Sequence, residues 1–239
     1  TAYHEAGHAL VAIKTKGADP VHKITIIPRG RALGVTMQLP MDEKHGYTRN
    51  YVEGRLAILM GGRSAEMLIF NQMTTGAGND IEQATQIARK MVTEWGMSDL
   101  LGPMTFGKKN EEVFLGREIQ SSRDYSEVTA RMIDEEISRI VRESQRFADE
   151  ILRKDIDILH SIAKELLKYE TIDAKDLEKI LKGEKLTRAL NGSSPQKMQK
   201  NQGVNTLKEI TIEEQKHKTW ILRINQIQIN QNQPKTKKQ

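Results

Sequence analysis

The chain has 239 residues, of which 37% are hydrophobic and none is cysteine, and its formal net charge is +5. This length and composition allow a sizeable core and exclude a natively disordered chain, while the lack of cysteine excludes disulfides and thiolate metal sites. No apolar run approaches the roughly 20 residues that cross a bilayer, so the chain as given is expected to be soluble.

Residues 1–96 have the pattern of a small mixed α/β part. The predicted elements are a helix over 2–16, strands over 21–28 and 33–39, and helices over 48–70 and 79–96. Gly61 and Gly62 interrupt the second helix, which indicates close packing against a neighbouring element. The third helix is predicted to begin at Asn79, with Glu82 completing a capping-box-like arrangement.

Residues 97–190 change to a helical pattern. Helices are predicted over 125–153 and 155–169, and a short one over 174–181 has Asp173 as its cap. The apolar stripe of the first of these helices is expected in the core and consists of Val128, Met132, Ile133, Ile137, Ile140 and Val141. We therefore predict a mostly α fold with a small β-sheet, in which a helix that carries the site and short strands precede a helical bundle.

The positive charge is concentrated in the last 49 residues. Residues 191–239 contain nine Lys or Arg against three acidic residues, together with fifteen Asn or Gln. This composition predicts a disordered basic tail, although the alternation of Trp220, Leu222 and Ile224 also allows a short strand. A nucleic-acid-binding fold would need aromatic platforms or an ordered basic face, and neither is evident, so no specific nucleic-acid partner is expected.

The strongest chemical signal is the sequence HEAGH at residues 4–8. On a helix, His4 and His8 share one face and can bind one metal ion, while Glu5 projects beside them. The alternative is a pair of surface histidines, but the apolar residues that follow favour a buried helix. The motif predicts a zinc-dependent peptidase, with one zinc ion per chain.

A catalytic zinc ion usually takes three protein ligands, so a third ligand is required. The candidates are His22, His45, Glu66, Asp80 and acidic residues further along. Asp80 is the best of them because it follows a glycine-containing turn and begins a helix, where the positive helix end favours an acid. The residues alone do not separate this role from that of an ordinary helix acid.

Eight separate motifs resemble the peptidase domain of FtsH, the membrane-anchored AAA+ zinc protease family. They occur in the family's order over about residues 1–185, and they are HEAGHALVA at 4–12, GRALGVT at 30–36, LMGGRSAE at 59–66, TTGAGND at 74–80, ARKMVTEWGMS at 88–98, FLGRE at 114–118, SRDYSE at 122–127 and IDEEI at 133–137. None of them covers residues 191–239.

The resemblance implies a role for each matching residue. It implies that His4, His8 and Asp80 bind zinc, that Glu5 is the general base, and that Glu66 supports a ligand histidine. The family usually has a second Glu after that position, where this chain has Met67. An unfolded substrate is expected to pair with a strand edge after the motif helix, with Leu33, Gly34, Val35 and Thr36 as the candidate contact.

The resemblance also implies properties of a longer parent protein. FtsH proteins are homo-hexamers with transmembrane helices and an ATPase module, and they degrade unfolded or membrane proteins in quality control at the cytoplasmic face of a membrane. We expect this chain to be a piece of such a protein, with ATP, Mg²⁺ and membrane contact supplied only by parts outside it. The phosphate-loop-like residues 102–109 end in Lys109 where Ser or Thr is required, so we interpret them as a turn.

The sequence leaves two other functions as alternatives. The first is a non-catalytic assembly module that uses the helical bundle for ring contacts, and such a module need not bind zinc. The second is nucleic-acid binding by the tail, which should disappear when residues 191–239 are deleted.

Overall fold

The computed structural model describes residues 1–28, 30, 34–39, 46–107 and 125–187. In chain order the elements are α1 (Ala2–Lys14), β1 (Val21–Thr25), β2 (Val35–Gln38), α2 (Arg49–Phe70), a 3₁₀ turn (Thr75–Ala77), α3 (Gly78–Thr93), α4 (Glu127–Lys154), α5 (Ile156–Tyr169), β3 (Thr171–Asp173) and α6 (Ala174–Leu181). Helices dominate and the sheet is small, so the predicted fold class is confirmed.

Helix α1 lies at the centre of this arrangement. Ten of its 13 residues are buried, because alanine, leucine and valine occupy almost every side of the helix after residue 5. It packs against α2, α4, α5 and the sheet. Near its start, the Tyr3 hydroxyl lies 2.8 Å from His160 Nδ1 of α5. The HEAGH segment is therefore part of a rigid core element.

Helices α1 and α2 cross with their backbones in contact at Gly7 and Gly61. A Cβ atom on Gly61 would lie 2.8 Å from the Gly7 carbonyl oxygen and 3.2 Å from the His8 Cα. No side chain fits at such distances, which explains why a glycine lies inside the continuous helix α2. The close packing predicted for the glycine pair is thus confirmed.

The sheet is antiparallel, with β1 between β2 and β3. Ile24 of β1 pairs with Thr36 on one side and with Ile172 on the other. The two predicted strands are present, although both are shorter than expected. Strand β3 was not predicted, because three residues between two helices carry too little pattern to indicate a strand.

Helix α3 begins one residue earlier than predicted, and its expected cap is wrong. The cap position is Ala77, which makes no side-chain hydrogen bond, and Asn79 lies inside the helix. The preceding 3₁₀ turn leads directly into α3, and the Thr74 side chain caps that turn by accepting a hydrogen bond from the Gly76 N–H. A backbone that already turns helically takes the place of the side-chain cap.

The helical bundle follows the sequence pattern more closely. Asp173 caps α6 and forms a complete capping box with Asp176. In α4, Ile133, Ile137 and Ile140 are buried as expected. Val128 is 69% exposed, so its predicted place in the core is wrong. It lies in the first turn of α4, ahead of the part of the helix that contributes to the core.

The segment after α3 is attached to α4 by a buried carboxylate. Ser98 Oγ donates to Glu136 Oε1 at 2.8 Å, and Arg139 donates to both oxygens of the same group. The hydrogen bonds from Arg139 lower the pKa of Glu136, against the opposing effect of burial, and the Ser98 bond adds to the lowering.

Several sequence-based expectations fall wholly or partly outside the described residues. The tail, residues 191–239, lies outside them, and the division into parts 1–96 and 97–190 remains a prediction. Of the phosphate-loop-like segment, residues 102–107 are irregular, and Lys108 and Lys109 are not described. None of the described helices is both long and apolar enough to cross a membrane.

Replacing Gly61 with alanine should destabilise the fold. The added methyl group meets backbone atoms that cannot rotate away, and such overpacking costs about 1–3 kcal/mol. Gly78→Ala is the matched control, since a Cβ there meets no atom within 4 Å and alanine favours helix. Urea unfolding measures the free energy of unfolding of both variants. Equal stability of Gly61→Ala and the unchanged chain would contradict the close crossing.

The Glu136 carboxylate should make stability dependent on acid pH. Its folded pKa lies below the ordinary value of 4.5, so it stabilises the fold above pH 4.5 and this stabilisation is lost as the pH falls through the folded pKa. Glu136→Gln should cost about 1–2 kcal/mol at pH 7 and flatten the pH dependence below 4.5. Glu143 is an exposed partner of the same Arg139, so Glu143→Gln is the control. It should change little in the stability at pH 7 or in its pH dependence below 4.5.

Candidate metal centre

Three side chains from two helices converge beside the α1–α2 crossing. His4 and His8 extend from α1, and Asp80 extends from the first turn of α3. The Nε2 atoms of the two histidines are 3.0 Å apart, and Asp80 Oδ2 lies 3.2 Å from the first and 3.3 Å from the second. Among the described residues, this is the one cluster of at least three His, Asp or Glu side chains with potential ligand atoms close enough for a shared ion.

The other nitrogen of each histidine ring is held by an oxygen acceptor. His4 Nδ1 lies 3.0 Å from Glu66 Oε1, and His8 Nδ1 lies 2.7 Å from the backbone carbonyl of Ile58. Since a carboxylate or a carbonyl can only accept, each Nδ1 must carry a hydrogen. A neutral imidazole then has its free lone pair on Nε2, and the two lone pairs point toward one another and toward Asp80.

Glu66 is itself held in place. Thr74 Oγ1, just before the 3₁₀ turn, donates to Glu66 Oε2 at 2.9 Å. The Glu66 carboxylate therefore links α2, the turn and the His4 ring. It contacts the ring nitrogen remote from Asp80, which is the placement expected of a group that orients a ligand.

The electrostatics of the cluster favour positive charge at its centre. Burial is the largest single effect and opposes the charged form of His8, but the hydrogen bond and negative charge of Asp80, the Ile58 carbonyl and the negative charge of Glu5 together raise the pKa of His8. Burial would also raise the pKa of Asp80, yet the hydrogen bonds that protonated His4 and His8 rings donate from Nε2, together with their positive charge, hold that pKa far below its usual range. The three groups thus stabilise a cation between them.

These residues fit a zinc ion. Ligand atoms at 2.0–2.1 Å from a tetrahedral zinc ion are separated by about 3.3 Å, and the three observed separations are close to this value. Two neutral nitrogens and one carboxylate oxygen are also ligands that zinc prefers, and three protein ligands leave a fourth position open.

Gly62 of α2 leaves the space that the rings of His4 and His8 occupy. A Cβ atom on Gly62 would lie 2.5 Å from His4 Cε1 and 2.6 Å from His8 Nε2, so both rings occupy the space that a side chain at this position would need. Gly62 therefore has a more specific role than the general close packing expected for the glycine pair. The sequence contains no signal that assigns this space to the two histidines.

Glu5 is buried next to the cluster and contacts strand β2. Its carboxylate accepts a hydrogen bond of 2.7 Å from Thr36 Oγ1. A Cβ atom on Gly34 would lie 2.6 Å from Glu5 Oε1, so a side chain there would displace the carboxylate. The strand candidate and the candidate base are thus in direct contact, which the sequence did not indicate.

Of the two remaining histidine candidates, the one that the structure describes, His22, does not join the cluster. His22 is an exposed residue of β1, and it is not among the ligand atoms that converge. His45 and Leu33 lie outside the described residues. The Ile58 carbonyl and Thr74 were missed, because neither a backbone oxygen nor a loop threonine is marked by residue type as part of a site.

Comparison with known proteins identifies the sequence family. Residues 1–180 match the sequence profile of peptidase family M41. The chain is 59% identical over 186 residues to the ATP-dependent zinc metalloprotease FtsH of Acidobacterium capsulatum, with 78% of this chain and 29% of the relative covered. It is 55% identical over 190 residues to that of Magnetococcus marinus, with 80% and 28% covered.

A third relative agrees with these two. The ATP-dependent zinc metalloprotease FtsH of Myxococcus xanthus is 51% identical over 189 residues, with 79% of this chain and 30% of the relative covered. The resemblance to FtsH inferred from the motifs is therefore confirmed. The chain spans about three tenths of the length of these relatives.

Proposed function

We propose that this chain, which belongs to peptidase family M41, is a zinc metalloendopeptidase domain that hydrolyses peptide bonds of unfolded or extended polypeptides. The observation that carries the proposal is the convergence of His4 Nε2, His8 Nε2 and Asp80 Oδ2 within 3.3 Å of one another. These three residues would hold zinc. The chemistry that zinc supplies when bound is Lewis-acid polarisation of the scissile carbonyl and a lowered pKa of water.

Glu5 is the proposed general base. It follows His4 on the same helix, and its carboxylate is buried in contact with β2. In the proposed reaction it accepts a proton from the attacking water and returns that proton to the leaving amine. Glu66 keeps the His4 ring in the orientation that directs Nε2 toward Asp80, and the Ile58 carbonyl does the same for His8.

The proposed substrate contact is the outer edge of β2. Among the described strands, β2 pairs with β1 alone, so its other edge can form backbone hydrogen bonds with an added strand. Of the four residues suggested by the sequence, Gly34, Val35 and Thr36 lie at this edge or just before it. Pairing through the backbone selects for extended conformation more than for side chains, so broad specificity follows.

In the proposed parent protein, other parts would act together with this domain. The relatives are named as ATP-dependent, and we propose that an ATPase module with ATP and Mg²⁺ unfolds substrates for this site in a membrane-anchored homo-hexamer. Quality control of unfolded and membrane proteins at the cytoplasmic face is the corresponding cellular role. In this proposal residues 1–96 carry the chemistry, residues 97–190 support it as a helical bundle, and 191–239 form a separate tail.

Glu5→Gln should abolish most proteolysis while the fold and the zinc content stay unchanged. The amide cannot accept the proton of the attacking water, and loss of a general base lowers rates by about 10²- to 10⁴-fold. Release of dye from labelled casein measures the rate of proteolysis. Metal analysis measures the zinc content, and thermal melting measures the stability of the fold. Glu82→Gln, an exposed change on α3, is the control that should keep full activity. Near-normal cleavage by Glu5→Gln would refute the assigned base.

Asp80→Asn and Glu66→Gln should separate a zinc ligand from its support. Asp80→Asn replaces an anionic ligand oxygen with a neutral amide, so most zinc should be lost on dialysis against a weak chelator. Glu66→Gln should weaken zinc binding by about ten- to a hundredfold and keep part of the metal. If Asp80→Asn retains its zinc while Glu66→Gln loses it, the two assigned roles must be exchanged.

A further inference from the structure

Strand β2 restrains the Glu5 side chain at two points. Thr36 Oγ1 lies 2.7 Å from Glu5 Oε2 and 3.1 Å from the Glu5 backbone carbonyl. A hydroxyl has one hydrogen, and the shorter distance, together with the charge of the acceptor, assigns it to the carboxylate. One oxygen of the candidate base is therefore held by a residue of the neighbouring strand.

Gly34 provides the second restraint by the space it leaves. A Cβ atom there would lie 2.6 Å from Oε1, 2.8 Å from Cγ and 2.9 Å from Cδ of Glu5. Gly34 does not have positive φ, so its lack of a side chain matters for space and not for backbone conformation. With 6% of Glu5 exposed, the carboxylate has little room to move elsewhere.

The same strand has the outer edge to which an extended polypeptide would be added. Thr36 and Gly34 are directed toward α1, whereas the alternate residues Met37 and Leu39 are 41% and 46% exposed. Pairing with the edge would use backbone groups of β2 and leave the Thr36 hydroxyl on Glu5.

We propose that Thr36 is a positioning residue for Glu5, and that β2 thereby fixes the position of the base relative to the substrate backbone. The inference rests on the proposed function of this site. The Thr36 hydroxyl fixes the direction of the Glu5 carboxylate, and the missing side chain of Gly34 leaves the space that this carboxylate occupies. A polypeptide that pairs with β2 is then aligned with the base because both are attached to the same strand.

The test compares Thr36→Val with Thr36→Ser. Valine keeps the β-branched shape and the backbone groups but removes the hydroxyl, whereas serine restores it. For cleavage of a dye-quenched unstructured peptide, Thr36→Val should lower kcat about 10- to 100-fold with KM within about twofold, and Thr36→Ser should recover most of the loss. Thr171→Val, a strand threonine at the other edge of the same sheet, is the control for general loss of a strand hydroxyl and should leave kcat unchanged.

Two further measurements distinguish positioning from a structural or binding effect. Adding Thr36→Val should not change the zinc content of the chain. It should also not change the affinity of the zinc-loaded Glu5→Gln chain for the labelled peptide, which fluorescence anisotropy measures. In the Glu5→Gln background Thr36→Val should also lower the residual rate by no more than about twofold, because the group it positions is already gone. Gly34→Ala provides a second probe, and it should lower kcat through displacement of the carboxylate even if Thr36→Val folds poorly.

The outcomes are separable. Unchanged kcat in both Thr36→Val and Gly34→Ala, with an active parent chain, overturns the positioning role and leaves the proposed function standing. A rise in KM or a loss of peptide affinity without a fall in kcat overturns it in favour of a substrate-binding role. Absence of cleavage by the zinc-loaded parent chain refutes the proposed function itself.

Discussion

The close crossing of α1 and α2 is the constraint on which the rest of the structure depends. Gly7 and Gly61 bring the two backbones into contact, and Gly62 then leaves space for the rings of His4 and His8. At this separation α2 can also supply the Ile58 carbonyl and the Glu66 carboxylate to the far sides of the same rings. A wider crossing would separate the histidines from both partners, so the packing of the core and the geometry of the site are the same feature.

The site is assembled from segments that are distant in sequence and individually simple. Helix α1 supplies His4, Glu5 and His8, α2 supplies Glu66, the start of α3 supplies Asp80, and β2 supplies Thr36. Each of these side chains contacts a residue that lies outside its own helix or strand. Rigid elements and satisfied hydrogen bonds of this kind hold the candidate ligand atoms in place, and the loop residue Thr74 contributes by holding Glu66.

The sequence predicted most of the fold because periodicity and caps are local properties. The HEAGH spacing placed His4 and His8 on one face, and Asp173 marked the start of α6. The differences have two sources: β3 forms because it pairs with β1, which is distant in sequence, whereas α3 begins at Gly78 because the turn immediately before it replaces a cap. The roles of Ile58, Thr74, Gly62 and Thr36 are likewise visible only once the elements are packed.

The position of β1 between β2 and β3 has a consequence for how the chain is made. A ribosome delivers β1 before β3, and Thr171, which pairs with Thr25, follows Thr25 by 146 residues. At 5–20 residues per second that interval is roughly 7 to 30 s. Throughout it one edge of β1 lacks its final partner, and such open edges favour association between chains. The sheet beside the helix that carries HEAGH is thus completed well after that helix and the first two strands have been synthesised.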